Sequence, residues 1–65
     1  MSMRVNGKLV SGDNKGVVYL DHLDYNEAEV LFKHARMYGQ AEFEHNYIDY
    51  TLKKEKDGTF TVEKR

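Results

Sequence analysis

Carboxylates and histidines dominate the middle third of the chain, and these residue types could support acid–base catalysis or metal binding. The carboxylates are Asp21, Asp24, Glu27, Glu29, Glu42 and Glu44, and the histidines are His22, His34 and His45. Acid–base catalysis needs two carboxyl groups in unlike environments inside a cleft, and a single helix over a sheet offers no obvious cleft. A zinc site needs three or four converging ligands, but no two of these histidines have a ligand-pair spacing. We expect no catalytic residue and no metal.

Nucleophiles are scarce as well. The chain has no cysteine, which excludes disulfides, thiolate metal sites and a cysteine nucleophile. Its only serines, Ser2 and Ser11, fall in predicted end or loop positions without an identifiable partner base. The protein is therefore expected to be non-enzymatic and to need no cofactor.

Length and charge narrow the remaining classes of function. Sixty-five residues make one domain, residues 1–65, with one small core. A formal net charge of −1 gives no general attraction to nucleic acid or anionic lipid. No apolar run approaches the roughly 20 residues that span a bilayer, and the first residues lack the apolar core of a signal peptide. We expect a cytoplasmic protein that does not enter a membrane.

The C-terminal residues predict a β-hairpin with a definite register. Residues 47–55 lead into Lys56-Asp57-Gly58, and residues 59–63 lead out. A two-residue Asp-Gly turn would put the apolar faces of the two strands on opposite sides of the sheet. A three-residue turn, with Gly58 in the left-handed bulge position, instead pairs Glu55 with Thr59 and unites the apolar side chains. The side chains on this shared face are Ile48, Tyr50, Leu52, Phe60 and Val62.

Two further strands are predicted before residue 21. Residues 3–9 alternate loosely between apolar and polar and predict a first strand, with Gly7 as a weak point in preference to an Asn6-Gly7 turn. The loop composition of residues 11–16 follows. Val17–Leu20 is β-branched and aromatic, which predicts a second strand.

One helix and a third strand complete the predicted order. Asp24 and Glu27 have capping-box spacing, apolar residues then recur at helical intervals, and Gly39 ends the helix. The third strand begins at Ala41, and its apolar face switches near residues 45–46, where we expect a bulge or a break. The predicted fold is α+β in the order β-β-α-β-β, with one amphipathic helix packed on a four-stranded, β-grasp-like sheet. The alternative is an all-antiparallel sheet of the same elements.

Three segments share residues and order with a known family. They are Val5-Asn6-Gly7-Lys8, Ala28-Glu29-Val30-Leu31-Phe32-Lys33 and Thr59-Phe60-Thr61-Val62, about a quarter of the chain. They resemble the immunoglobulin-binding domains of streptococcal protein G. The resemblance implies a β-grasp topology, in which the first and last strands pair in parallel under the helix. It also implies antibody-Fc contacts on the outer helix face, which in this sequence are Glu29, Val30, Lys33, His34 and Met37.

The outer face of the predicted helix is the preferred candidate site. At about 100° per residue, Val30 and Met37 lie opposite the core stripe, among polar groups. Scattered apolar residues are also normal on protein surfaces. The function we favour is non-catalytic protein binding, as a small adaptor or inhibitor-type module with another protein as its partner. The predicted protein-binding residues are Glu29, Val30, Lys33, His34, Met37, Phe43 and Tyr47.

The basic C-terminal hairpin supports an alternative function, weak nucleic-acid binding. Its candidate residues are Lys53, Lys54, Lys56, Lys64 and Arg65. Acidic residues on the neighbouring strand neutralise part of this positive charge, because Asp49 faces Arg65 and Glu63 lies diagonal to Lys53 in the chosen register. Lysines on edge strands also oppose aggregation. The protein is expected to be a monomer, or a homodimer joined through an unpaired edge strand.

Overall fold

The chain folds into two helices and five strands, and the computed structural model describes all of residues 1–65. In chain order the elements are β1 (Ser2–Val5), β2 (Lys8–Gly12), α1 (Asn14–His22), α2 (Tyr25–Tyr38), β3 (Gln40–His45), β4 (Ile48–Lys54) and β5 (Phe60–Lys64). The α+β class is confirmed. The predicted count of one helix and four strands is wrong by one of each.

The five strands form a single mixed sheet in the order β1-β2-β5-β4-β3. All neighbours are antiparallel except β2 and β5, which pair in parallel at the centre. The β-grasp-like prediction paired the first and last strands in parallel. In the structure the second strand, β2, pairs in parallel with the last strand, β5. Alternation along the paired strands puts the buried apolar strand residues on one face, and both helices supply core residues to it. Thr51, which is also buried, lies on the other face. The opposite face is called the helix-free face below.

The predicted register of the C-terminal hairpin is confirmed. Leu52 lies opposite Val62, and the Glu55 N–H donates to the Thr59 carbonyl at 2.8 Å. Gly58 has φ +89°, the left-handed bulge position. The Asp57 carboxylate accepts hydrogen bonds from the Thr59 N–H (3.0 Å) and hydroxyl (2.7 Å). The loop and the apolar pattern therefore specify the same register.

The predicted continuous strand over residues 3–9 is wrong. Asn6 and Gly7 have φ values of 52° and 81° and form a tight turn between β1 and β2. Asn-Gly is the preferred pair where both central residues of a two-residue hairpin turn need positive φ. The few residues before it suffice, because β1 needs only four residues to pair with β2.

The predicted strand at Val17–Leu20 is also wrong, because these residues lie in α1. The Asp13 carboxylate caps this helix by accepting from the Gly16 N–H at 3.0 Å. Val17 and Leu20 are fully buried while Val18 is exposed, a three-residue spacing that suits a helix. The cap and this packing override the β-propensity of the segment.

The predicted second half of the chain is largely confirmed. Gly39 ends α2 with φ +89°, and its N–H donates to the Ala35 carbonyl at 2.8 Å. Asp24 occupies the N-cap position of α2, but its side chain makes no capping hydrogen bond. The break expected near residues 45–46 is a two-residue turn at Asn46-Tyr47, both with positive φ, which joins β3 to β4.

Candidate functional site

The outer face of α2 carries an exposed apolar pair. Ala28, Phe32 and Ala35 are fully buried against the sheet and fix the rotation of the helix. Val30 and Met37 consequently lie outside, with 68% and 62% of their surface exposed. The predicted residues Lys33 and His34 are exposed on the same face. The structure therefore brings four of the seven predicted protein-binding residues together.

Glu29 is not part of this outer face, because it joins α2 to the β1–β2 turn. Its carboxylate accepts from the Lys8 ammonium at 2.7 Å and from the Asn6 amide at 3.0 Å. The Asn6 amide also donates to the Tyr25 carbonyl at 3.1 Å. The hydrogen bonds from Lys8 and then from Asn6 lower the pKa of Glu29 below its ordinary value. Glu29 thus positions the helix that presents the site.

Phe43 also has a packing role. Its ring stacks on Tyr50 at 5.3 Å and on Tyr19 at 5.7 Å, and Tyr19 in turn stacks on His45 at 4.2 Å. This row of rings ties α1 to the β3–β4 hairpin. Phe43 is half-buried against the core rather than presented to a partner.

Tyr47 lies at the tip of the β3–β4 turn with 98% of its surface exposed. Its φ of 63° is in the left-handed region that glycine tolerates and other residues rarely adopt. A bulky residue in such a conformation costs on the order of 1 kcal/mol, and packing of this exposed ring offsets little of that cost. Nothing in the fold explains why a tyrosine stands here.

A groove runs between α2 and β3. It encloses about 550 Å³. The rings of His34 and Tyr38 lie 4.6 Å apart on its helix side. The residues lining the groove are Val30, Leu31, His34, Tyr38, Gln40, Ala41 and Glu42.

Strand β3 is an open edge of the sheet, since β4 is its only neighbour. The Lys54 N–H donates to the Gly39 carbonyl at 3.1 Å. This bond determines which β3 residues form main-chain hydrogen bonds with β4. Bonded and non-bonded pairs alternate along an antiparallel ladder, so Ala41, Phe43 and His45 bond β4. The backbone groups of Gln40, Glu42 and Glu44 therefore point away from the sheet, beside the groove.

The basic residues of the C-terminal hairpin do not form one surface. Lys53 pairs with Glu63 at 2.8 Å, and this carboxylate raises the pKa of Lys53. The Arg65 guanidinium lies 3.9 Å from Asp49, as the register predicted, and also 3.7 Å from Glu42, which was not predicted. The exposed lysines Lys54, Lys56 and Lys64 lie at the turn end, in the loop and at the opposite end of β5. Nucleic-acid binding by this hairpin stays a prediction, and two of its five basic residues, Lys53 and Arg65, are paired with carboxylates.

A second cleft, of about 470 Å³, lies between α1 and the β3–β4 turn. His22, His45 and the buried Tyr50 line it, and burial together with the negative charge of Asp13 raises the pKa of Tyr50. No three or more histidine or carboxylate side chains in the structure are grouped so that they could hold a metal ion. Neither helix combines the length and apolar composition needed to cross a bilayer.

No protein-family model, curated protein or solved structure matches this chain. The resemblance of three segments to the protein G domains therefore stays a prediction.

Sequence reasoning missed the edge of β3 and the groove beside it. The run Gln40-Ala41-Glu42-Phe43-Glu44-His45 gives no sign of being an edge strand, because it contains neither lysine nor proline. Exposed edge strands are usually protected by such residues. Without the strand order, nothing in the sequence identifies this run as an edge.

Proposed function

We propose that the protein is a small, non-catalytic protein-binding module, of adaptor or inhibitor type and cytoplasmic, whose site is the surface formed by α2 and β3. The observation that carries this proposal is that three features form one continuous surface. Val30 and Met37 are exposed on the outer face of α2, a groove follows on its β3 side, and an unpaired strand edge follows the groove. Apolar anchors surrounded by polar groups are typical of protein interfaces.

Tyr47 supports the same proposal from the other end of β3. Strained, exposed residues that the fold does not require are concentrated at functional positions, and tyrosine provides much contact area at a low entropic cost. The turn that carries Tyr47 continues directly from the β3 edge. A partner lying along β3 would therefore reach this ring.

The experiment is capture of partners from lysate of the source cells by tagged wild-type protein and by the double variant Val30→Ser/Met37→Ser. Tyr25→Ser is the matched control, because Tyr25 is also 62% exposed and apolar but lies at the start of α2. Since none of these side chains is buried, thermal stability should barely change. A partner held by wild type and by the control but lost by the double variant supports the proposal. A partner held equally by all three contradicts it.

A further inference from the structure

We propose that the partner provides an extended segment of alternating apolar and basic residues, which pairs with β3 as a sixth strand beside α2. This inference rests on the proposed function and specifies its mode of binding. Addition of a strand to an open sheet edge is an established way of recognising peptides, in which main-chain hydrogen bonds give affinity and alternate side chains give specificity. Three features of β3 favour it.

The first feature is a row of main-chain groups that point away from the sheet. The N–H and carbonyl groups of Gln40, Glu42 and Glu44 point outward, as the alternation of the β3–β4 ladder requires. The strand is six residues long, roughly 20 Å, and contains no proline or lysine. The opposite edge of the sheet, β1, has four residues, one of them Arg4. The β3 edge is thus the longer of the two, and the charges that it carries, those of Glu42 and Glu44, are acidic.

The second feature is the groove, which lies on the helix side of this edge. Every second side chain of an added strand would point toward α2. There it would meet Val30, Leu31 and the ring of Tyr38. These positions of the partner segment are therefore apolar.

The third feature is charge on the helix-free face. Glu42 and Glu44 project there, and the one salt bridge that either of them makes joins Glu42 to Arg65 at 3.7 Å. Opposite charges on neighbouring strands stabilise pairing, so the alternate positions of the partner segment are lysine or arginine.

A second copy of this chain fits the edge poorly. If two β3 strands paired antiparallel about a twofold axis, Glu42 and Glu44 of one copy would lie beside the same acids of the other. Like charges on adjacent strands are destabilising. The occupant is therefore a segment of a different, locally basic protein.

The test uses the ¹⁵N-labelled full chain and a short capped peptide of alternating lysine and valine. A glutamate–valine peptide tests charge, and a lysine–valine peptide N-methylated on alternate residues tests main-chain bonding without altering the protein. Two protein variants form a matched pair. Glu42→Gln removes the charge, whereas Glu42→Pro removes the charge and the outward N–H, which β4 does not use. Arg4→Pro places the same change on the other edge.

The inference predicts that the lysine–valine peptide slows hydrogen exchange of the Glu42 and Glu44 amides. Binding should weaken a few-fold in Glu42→Gln and roughly tenfold further in Glu42→Pro, and it should be unchanged in Arg4→Pro. The glutamate–valine and N-methylated peptides should not bind. Binding that survives N-methylation, or protection mapped to β1, overturns the inference.

The two proposals fail separately. A lysate partner that depends on Val30 and Met37, together with a lysine–valine peptide that does not bind, refutes strand addition and leaves the protein-binding function intact. A peptide that protects the β3 edge, together with a lysate partner indifferent to Val30 and Met37, supports strand addition and contradicts the outer-face site. Dimers that form without any peptide and vanish in Glu42→Pro would show that the edge serves self-association, which also overturns the inference.

Discussion

Replacing Gly16 with alanine tests how closely α1 approaches the sheet. A Cβ added at Gly16 would lie 2.6 Å from Val62 Cγ1 and 2.8 Å from Tyr50 Cδ1. In an open helix, glycine to alanine stabilises by up to about 1 kcal/mol. Here the added methyl group overpacks the core, which costs about 1–3 kcal/mol. Gly16→Ala should therefore lower the free energy of unfolding by roughly 1–2 kcal/mol.

The assay is urea denaturation together with thermal melting, in which a domain of this size loses about 4–8 °C of Tm per kcal/mol. Val62→Ala provides the control, because it removes the side-chain atom nearest to the new methyl group. In a Val62→Ala background the cost of Gly16→Ala should shrink, giving a coupling that distant sites lack. A Gly16→Ala protein as stable as wild type would refute the reasoning and place α1 farther from β4 and β5.

Three further predictions concern single side chains around the site. Glu29→Gln should destabilise by about 1 kcal/mol near neutral pH. Because the folded pKa of Glu29 is lowered from 4.5, its contribution is present above that value and disappears as pH falls through the folded pKa, so acid denaturation curves of variant and wild type should converge. Tyr47→Gly should stabilise by about 1 kcal/mol in thermal melts, because it relieves the positive φ, while weakening partner capture. The pKa of Tyr50 is raised from 10.0, so ionisation of Tyr50 should not change the stability below that pH and should lower it above that pH. Ultraviolet titration should show a tyrosine transition above the ordinary range that Tyr50→Phe removes.

The reliable sequence signals were those with one physical solution. The C-terminal register followed because only one turn unites the apolar face, and Gly39 was recognisable as a helix end. Val17–Leu20 failed because β-propensity is weak against a capped helix whose buried positions are three residues apart. The Asn6-Gly7 turn was missed because only five residues precede Asn6, although the four residues of β1 suffice to pair with β2.

Of the candidate site, only the part on α2 could be predicted from the sequence. Helical periodicity placed Val30, Lys33, His34 and Met37 on one face, as the structure has them. The roles of Glu29 and Phe43 depend on partners distant in sequence, Lys8 and Tyr19, which no local pattern reveals. The β3 edge depends on strand order, and that order is set by the parallel pairing of β2 with β5.

The most direct test of the account is an amide shift map of the ¹⁵N-labelled protein titrated with the partner obtained from the capture experiment. We expect the perturbed amides to cluster at Val30, at Met37 and along β3 to Tyr47. Perturbations confined to the C-terminal hairpin, around Lys53 and Lys56, would contradict it.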